Sequence, residues 1–171
     1  MSHTDPATQG VQQGRYTVVP RTLIFLTAGD RILLLKGAAH KRLWAGRYNG
    51  LGGHVEPGED VLAAARRELA EETGLEGVEL HLCGTVTIDT GVNPGVLLLV
   101  FRGFLAEPTP VTASAEGEPQ WLPVGEVVNY PLVDDLFVLL PRVLAWQPGQ
   151  PLFHGSITSD ADGLPRLAFS A

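Results

Sequence analysis

Between residues 53 and 75 the chain reads Gly-His-Val-Glu-Pro-Gly-Glu-Asp-Val-Leu-Ala-Ala-Ala-Arg-Arg-Glu-Leu-Ala-Glu-Glu-Thr-Gly-Leu, and this stretch limits the fold more than any other. Val61, Leu62, Ala65 and Leu69 recur at intervals of three and four, which predicts an amphipathic helix over 60–73. Asp60 stands where an N-cap would accept from the first free amides, and Gly74 where a left-handed residue would end the helix. On that helix Glu68, Glu71 and Glu72 lie three and four positions apart and so share a face. Crowded carboxylates repel one another unless cations neutralise them, and hard oxygen ligands at this density suit Mg²⁺ or Mn²⁺. A solvated acidic helix face would show the same spacing.

The segment ahead of the helix favours the ligand-binding reading. Asn49-Gly50-Leu51-Gly52-Gly53-His54-Val55-Glu56-Pro57-Gly58-Glu59 places three glycines in four residues, which excludes an ordinary central strand. Such a loop lets the backbone approach a ligand closely, and it leads into a helix N-terminus that attracts anions.

Gly53, Glu59, Arg67, Glu68, Glu71, Glu72 and Gly74, with Leu69 and Leu75 in the apolar slots, match every position of a known pattern. That pattern is the Nudix box: Gly, five residues, Glu, seven residues, Arg-Glu-apolar, one residue, Glu-Glu, one residue, Gly-apolar. With each fixed residue type used at roughly 5–7%, a chance match is on the order of one in a million. The chain thus resembles the Nudix hydrolases. The resemblance implies an α/β (α+β mixed) fold, an α/β/α sandwich with a mixed sheet between helices. It also implies hydrolysis of a diphosphate bond assisted by Mg²⁺, with Mn²⁺ as a substitute. By the same resemblance Glu68 and Glu72, with Glu71 and the Gly52 carbonyl, are the expected metal ligands. A further carboxylate from outside the box maps onto Glu116, with Glu118 the near alternative and a solvated polar loop the other reading. Glu71 and Glu72 are the candidates for general base. Glu59 and Arg67 map onto a pair that orients the glutamates, or else form a surface ion pair of little consequence.

Outside the box, Trp44-Ala45-Gly46-Arg47-Tyr48-Asn49-Gly50-Leu51-Gly52-Gly53 is similar to the approach segment of the MutT-like oxidised-purine nucleoside triphosphate diphosphatases. That likeness makes Asn49, Asp134 and Asp135 the expected readers of a purine base, and Phe153-His154-Gly155 resembles a terminal motif of the same group. An amide suits base reading because it offers both donor and acceptor, although Asn49-Gly50 also reads as a turn. Asp134 and Asp135 would equally cap a second helix. If one of them is buried, its pKa should rise and the protonated acid could donate to a purine acceptor. His154 reads as structural and His54 as unassigned. The segment Tyr130-Pro131-Leu132-Val133 departs from the group, with Leu132 where an aromatic stacking surface is expected. Gly53 and Arg47 are expected to meet the substrate, and Lys36, Lys41, Arg42 and Arg47 are the nearest basic side chains for its phosphates.

The remainder of the chain reads as Tyr16–Leu26 and Arg31–Lys36 forming a hairpin, with Pro20 marking an edge or bulge, then strands over Val78–Asp89, Gly95–Leu105 and Pro119–Leu122. A second helix is expected over Val133–Trp146, with Leu136, Leu139, Leu140 and Val143 on one face, followed by a hairpin around 159–163. Residues 1–14 read as a disordered tail and 15–171 as one domain, for which 171 residues suffice. The lone Cys83 excludes an internal disulfide and a cysteine-rich zinc site and reads as core filler, consistent with a cytoplasmic location. No apolar run is long enough to span a membrane. Twelve basic and 19 acidic residues give a formal charge of −7, a poor match to duplex nucleic acid. A nucleotide substrate is the expected partner, and the protein is expected to be a monomer or homodimer. Oxidised purine nucleotides such as 8-oxo-dGTP lead as substrates, with dinucleoside polyphosphates, ADP-ribose or nucleotide sugars as the alternative. A non-catalytic nucleotide-sensing domain is the reading from another class.

Overall fold

The computed structural model describes residues 5–6, 9–10, 14–40, 43–160 and 165–170. Most of the expected N-terminal tail, together with Lys41, Arg42 and the turn at 161–164, lies outside the described residues. The strands are β1 (Val18–Ala28), β2 (Arg31–Gly37), β3 (Tyr48–Asn49), β4 (Leu80–Ile88), β5 (Gly95–Leu105), β6 (Gly117–Pro123), β7 (Phe153–Ser159) and β8 (Pro165–Phe169). The helices are α1 (Val61–Thr73) and α2 (Leu136–Ala145), with a short 3₁₀ turn at Val124–Asn129. All eight strands join one mixed sheet in the order β3-β2-β1-β5-β4-β7-β8, with β6 on β2. β1 and β5 run parallel, as do β4 and β7, and the other pairs are antiparallel.

Strand alternation sends side chains to two cores. Ile24, Leu26, Leu33 and Leu35 pack with Ala65 and Leu69 of α1, while Leu23, Phe25, Ile32 and Leu34 pack with Leu136, Leu139, Leu140 and Val143 of α2. The sheet therefore lies between two helix layers, as expected. Cys83 is fully buried at a bulge in β4, where burial pushes its thiol up to about 12, so it is an unreactive filler. Among the described residues, no helix is long and apolar enough to cross a membrane.

The geometry that builds the cleft is a divergence of β1 from β2. These strands pair only over Leu26–Ala28 and Arg31–Leu33. Beyond that point residues 48–55 fill the wedge, pairing first with β2 (Leu35 opposite Asn49) and then running antiparallel to β1. Ile24 and Leu51 exchange both backbone hydrogen bonds at 2.7 and 3.1 Å, and Thr22 N–H donates to Gly53 O at 2.8 Å. This corrects the reading of Pro20. It lies in an interior strand rather than at an edge, and its missing donor faces the glycine loop, where its carbonyl accepts from Val55 at 3.2 Å.

The helices differ from expectation in detail. Asp60 caps α1 by accepting from Leu62 and Ala63 at 2.9 Å, and Gly74 ends it at φ 76°. Val61, however, is exposed, and Glu72 takes a place on the buried face. α2 begins three residues later than expected because 131–133 lie beside β3 in a parallel bridge, with the Tyr48 N–H donating to Pro131 O and the Val133 N–H to Tyr48 O, both at 2.9 Å. The C-terminus of α2 is held by Arg102 of β5, which is 3% exposed and donates to Val143 O, Leu144 O and Trp146 O.

Candidate active site

α1 presents its three glutamates at graded depth. Glu72 is 3% exposed, and its Oε2 accepts from the Gly52 N–H at 2.7 Å. Glu68 packs so closely on Gly53 that a Cβ there would stand 2.5 Å from its Oε1. Glu71 reaches outward with 59% of its side chain exposed. Arg67 ties these groups together. Its Nε and Nη2 donate to the two carboxylate oxygens of Glu59 at 2.9 and 3.0 Å, a bidentate fork. Nη1 donates to Glu68 at 2.9 Å and Glu71 at 3.3 Å, and Nη2 also meets His54 O at 3.0 Å. These bonds hold the Glu59 carboxyl below its ordinary range and push the Arg67 guanidinium above its own. The pairing of Glu59 with Arg67 thus spans the loop and the helix rather than lying idle on the surface.

Glu68, Glu71, Glu72, Gly52, Gly53, Arg67 and Glu116 line one cleft of about 580 Å³, which also takes in Asn49 and Arg47. Glu59 stands behind it, reaching the cleft through Arg67. Glu116 enters from the loop before β6, where its N–H donates to Ser114 Oγ at 3.1 Å, and Glu118 is not among the lining residues. Among the described residues, no three His, Cys, Asp or Glu side chains already stand as a closed metal cage, since Arg67 engages Glu68 and Glu71. The donor set is nevertheless one of hard oxygens grouped round a deeply buried carboxylate, and a hard divalent cation fits that chemistry. Such a cation would offset the cost of holding a carboxylate away from water.

The expected base readers divide. Asn49 lines the cleft, with its Oδ1 turned back to the Gly50 N–H at 2.8 Å. Asp134 is exposed and ion-paired with Arg47, whose Nη1 donates to Asp134 Oδ2 at 3.3 Å. That bond lowers the carboxyl's pKa and raises the guanidinium's. Asp135 occupies the N-cap position of α2 without a side-chain cap bond, and its Oδ1 is buried without a partner. Desolvation pushes its carboxyl above the ordinary value, helped by the charge of Asp134. Neither aspartate is among the cleft-lining residues.

Leu132 is fully buried in the α2 core and offers no surface to a ligand. His154 accepts the structural reading, its Nδ1 lying 2.9 Å from Thr85 Oγ1 between paired strands. Arg21, Trp44 and Glu56 also line the cleft, and of these Arg21 and Glu56 were not legible beforehand. Arg21 arrives through the pairing of β1 with the glycine loop, some thirty residues distant in sequence. The exposed Trp44 had a signal in its position beside Arg47 and Asn49.

The raised pKa of Asp135 carries a stability prediction. Its neutral form is favoured in the folded protein, so the associated stability is fully present below the unfolded carboxylate value of about 3.9. That stability is lost as pH rises through the folded value. Asp135→Asn is therefore expected to raise Tm at pH 7, and the gain should fade below about pH 4. Melting curves across that range test it, and a gain independent of pH would contradict it.

An acidic helix and a glycine loop sharing one cleft, at the side of a mixed sheet between two helix layers, define the class as an α/β/α sandwich hydrolase of the Nudix type. The chain belongs to the Nudix family: the NUDIX domain matches residues 17–143. It is similar to the oxidized purine nucleoside triphosphate hydrolase of Danio rerio, with 36% identity over 124 residues, which cover 72% of this chain and 78% of that protein. The Mus musculus protein of the same name is 35% identical over 107 residues, covering 62% of this chain and 67% of that one. Among solved structures, the MutT protein of Bacillus halodurans shares the fold with a TM-score of 0.72 at 24% identity, covering 88% of this chain and 97% of that one.

Proposed function

We propose that this Nudix hydrolase converts oxidised purine nucleoside triphosphates, such as 8-oxo-dGTP, to the monophosphate and pyrophosphate with Mg²⁺, Mn²⁺ serving as a substitute. The observation that carries the proposal is the single cleft that joins Glu68, Glu71, Glu72 and Gly52 to Asn49 and Arg47. The Danio rerio and Mus musculus relatives, both named oxidized purine nucleoside triphosphate hydrolase, point the same way. Glu68 and Glu72 would hold the metal directly, with Glu71, the Gly52 carbonyl and Glu116 completing the set. When bound, the cation neutralises charge on phosphate oxygens and lowers the pKa of its water.

Arg67, fixed by Glu59, keeps the glutamates at their separate depths. Glu72, or Glu71 at the cleft mouth, takes the proton of the attacking water, a role worth typically 10²–10⁴-fold. Gly53 lets the substrate chain approach the backbone, Asn49 reads a base edge, and Arg47 with Asp134 and the neighbouring Asp135 bounds the base-binding end. We assign these roles to one domain spanning 15–171, working in the cytoplasm as a monomer or homodimer.

Turnover with Mg²⁺ on 8-oxo-dGTP, 2-hydroxy-dATP, dGTP, dATP, ADP-ribose and diadenosine tetraphosphate tests this reading, with pyrophosphate and phosphate followed separately. A kcat/KM at least tenfold higher for an oxidised purine is the expected result. Preference for another nucleotide would keep the Nudix chemistry and remove the base-reading roles. So would Asp134→Asn and Asp135→Asn variants with unchanged base preference. Absence of turnover on the whole panel would favour a nucleotide-sensing domain.

A further inference from the structure

The cleft is crowded with negative charge. Glu56, Glu68, Glu71, Glu72 and Glu116 all line it, and a nucleotide would add the charges of its phosphate chain. Two of its arginines are already committed, Arg67 to Glu59, Glu68 and Glu71, and Arg47 to Asp134. Arg21 differs. It lines the same cleft and is half-buried, yet among the described residues its side chain has no hydrogen-bond or ion-pair partner. A guanidinium held partly out of water without an acceptor suits an incoming anion, because its fork of donors matches two oxygens of a phosphate.

Its position is fixed by backbone. Arg21 stands opposite His54 in an antiparallel bridge, between the Thr22 to Gly53 bond at 2.8 Å and the Val55 to Pro20 bond at 3.2 Å. Residues opposed in this way project their side chains to one face at close range. One residue further on, Thr22 Oγ1 accepts from the N–H of Gly53, against which Glu68 packs.

We propose that Arg21 binds the phosphate chain of the substrate, its guanidinium meeting non-bridging phosphate oxygens beside the carboxylate cluster. This rests on the Nudix hydrolase reading for the presence of a phosphate chain, and on no assumption about the base. The test is calorimetric titration of the full chain with tripolyphosphate and Mg²⁺, comparing wild type with Arg21→Gln, Arg21→Lys and Arg31→Gln. Arg31 lies at the exposed start of β2, outside the cleft lining, so its variant controls for net charge.

Arg21→Gln should weaken tripolyphosphate binding about tenfold or more. Arg21→Lys should weaken it less, Arg31→Gln should leave it unchanged, and Tm should not fall, because Arg21 makes no internal bond. On whichever nucleotide is turned over, Arg21→Gln should raise KM without altering the ranking of bases. Unchanged binding in Arg21→Gln, an equal loss in Arg31→Gln, or a wild type that does not bind tripolyphosphate would each overturn the proposal. A preference for an unoxidised nucleotide would sink the substrate assignment and leave this comparison standing.

Discussion

Glu72→Gln is expected to lower kcat by about 10²–10⁴-fold while leaving the fold and Tm nearly unchanged. The substitution is close to isosteric, and the amide oxygen can still accept the Gly52 N–H that now meets Oε2 at 2.7 Å. What disappears is the negative charge of a side chain only 3% exposed, and with it the proposed metal ligand and candidate base. Removing a buried charge should not harm the metal-free protein, so circular dichroism and melting should match wild type. Full activity would remove Glu72 from the machinery. Loss of activity accompanied by unfolding would assign it to structure instead.

Gly52→Ala should damage stability and turnover together. At φ 118° the backbone is strained for any side chain, and a Cβ there would stand 2.5 Å from the carbonyl oxygen of Thr22 and 2.9 Å from its Oγ1. Thr22 belongs to an interior strand and cannot retreat, so the loop must lift from β1. Lifting would stretch the Thr22 to Gly53 bond and carry the Gly52 N–H away from Glu72. We expect a loss of about 2–4 kcal/mol in urea unfolding and roughly a 10²-fold fall in kcat. Gly58→Ala is the comparison, since φ 83° imposes the strain but no atom lies within 4 Å of the added Cβ. That variant should cost about 1–2 kcal/mol and spare most of the activity. Equal effects at the two positions would show that strain, and not the contact with Thr22, decides the outcome.

What was legible in the sequence was local. The α1 caps at Asp60 and Gly74 depend on neighbours within four residues, and the Gly95–Leu105 strand ends where its apolar run ends. Pairing across long separations was not legible. Nothing in residues 48–55 says that they will leave β2 for β1, and that crossing brings Arg21 into the cleft and places Pro20 inside the sheet. The start of α2 was misread for the same reason, because 131–133 pair alongside Tyr48, more than 80 residues away in the chain. The box residues Glu59, Arg67, Glu68 and Glu72 converge because they lie on one loop and one helix. Asp134 needed Arg47, from the segment just before β3, to fix its position.

The wedge between β1 and β2 separates two kinds of freedom. Its backbone bonds seat the glycine loop against β1, and those bonds do not depend on which side chains form the remaining walls. Leu43, Trp44 and Asn49 reach the cleft from outside those bonds or through their side chains alone. Substrate preference can therefore drift by exchange at these positions while the loop that faces the glutamates keeps its shape. A library confined to them should yield altered selectivity far more often than lost folding.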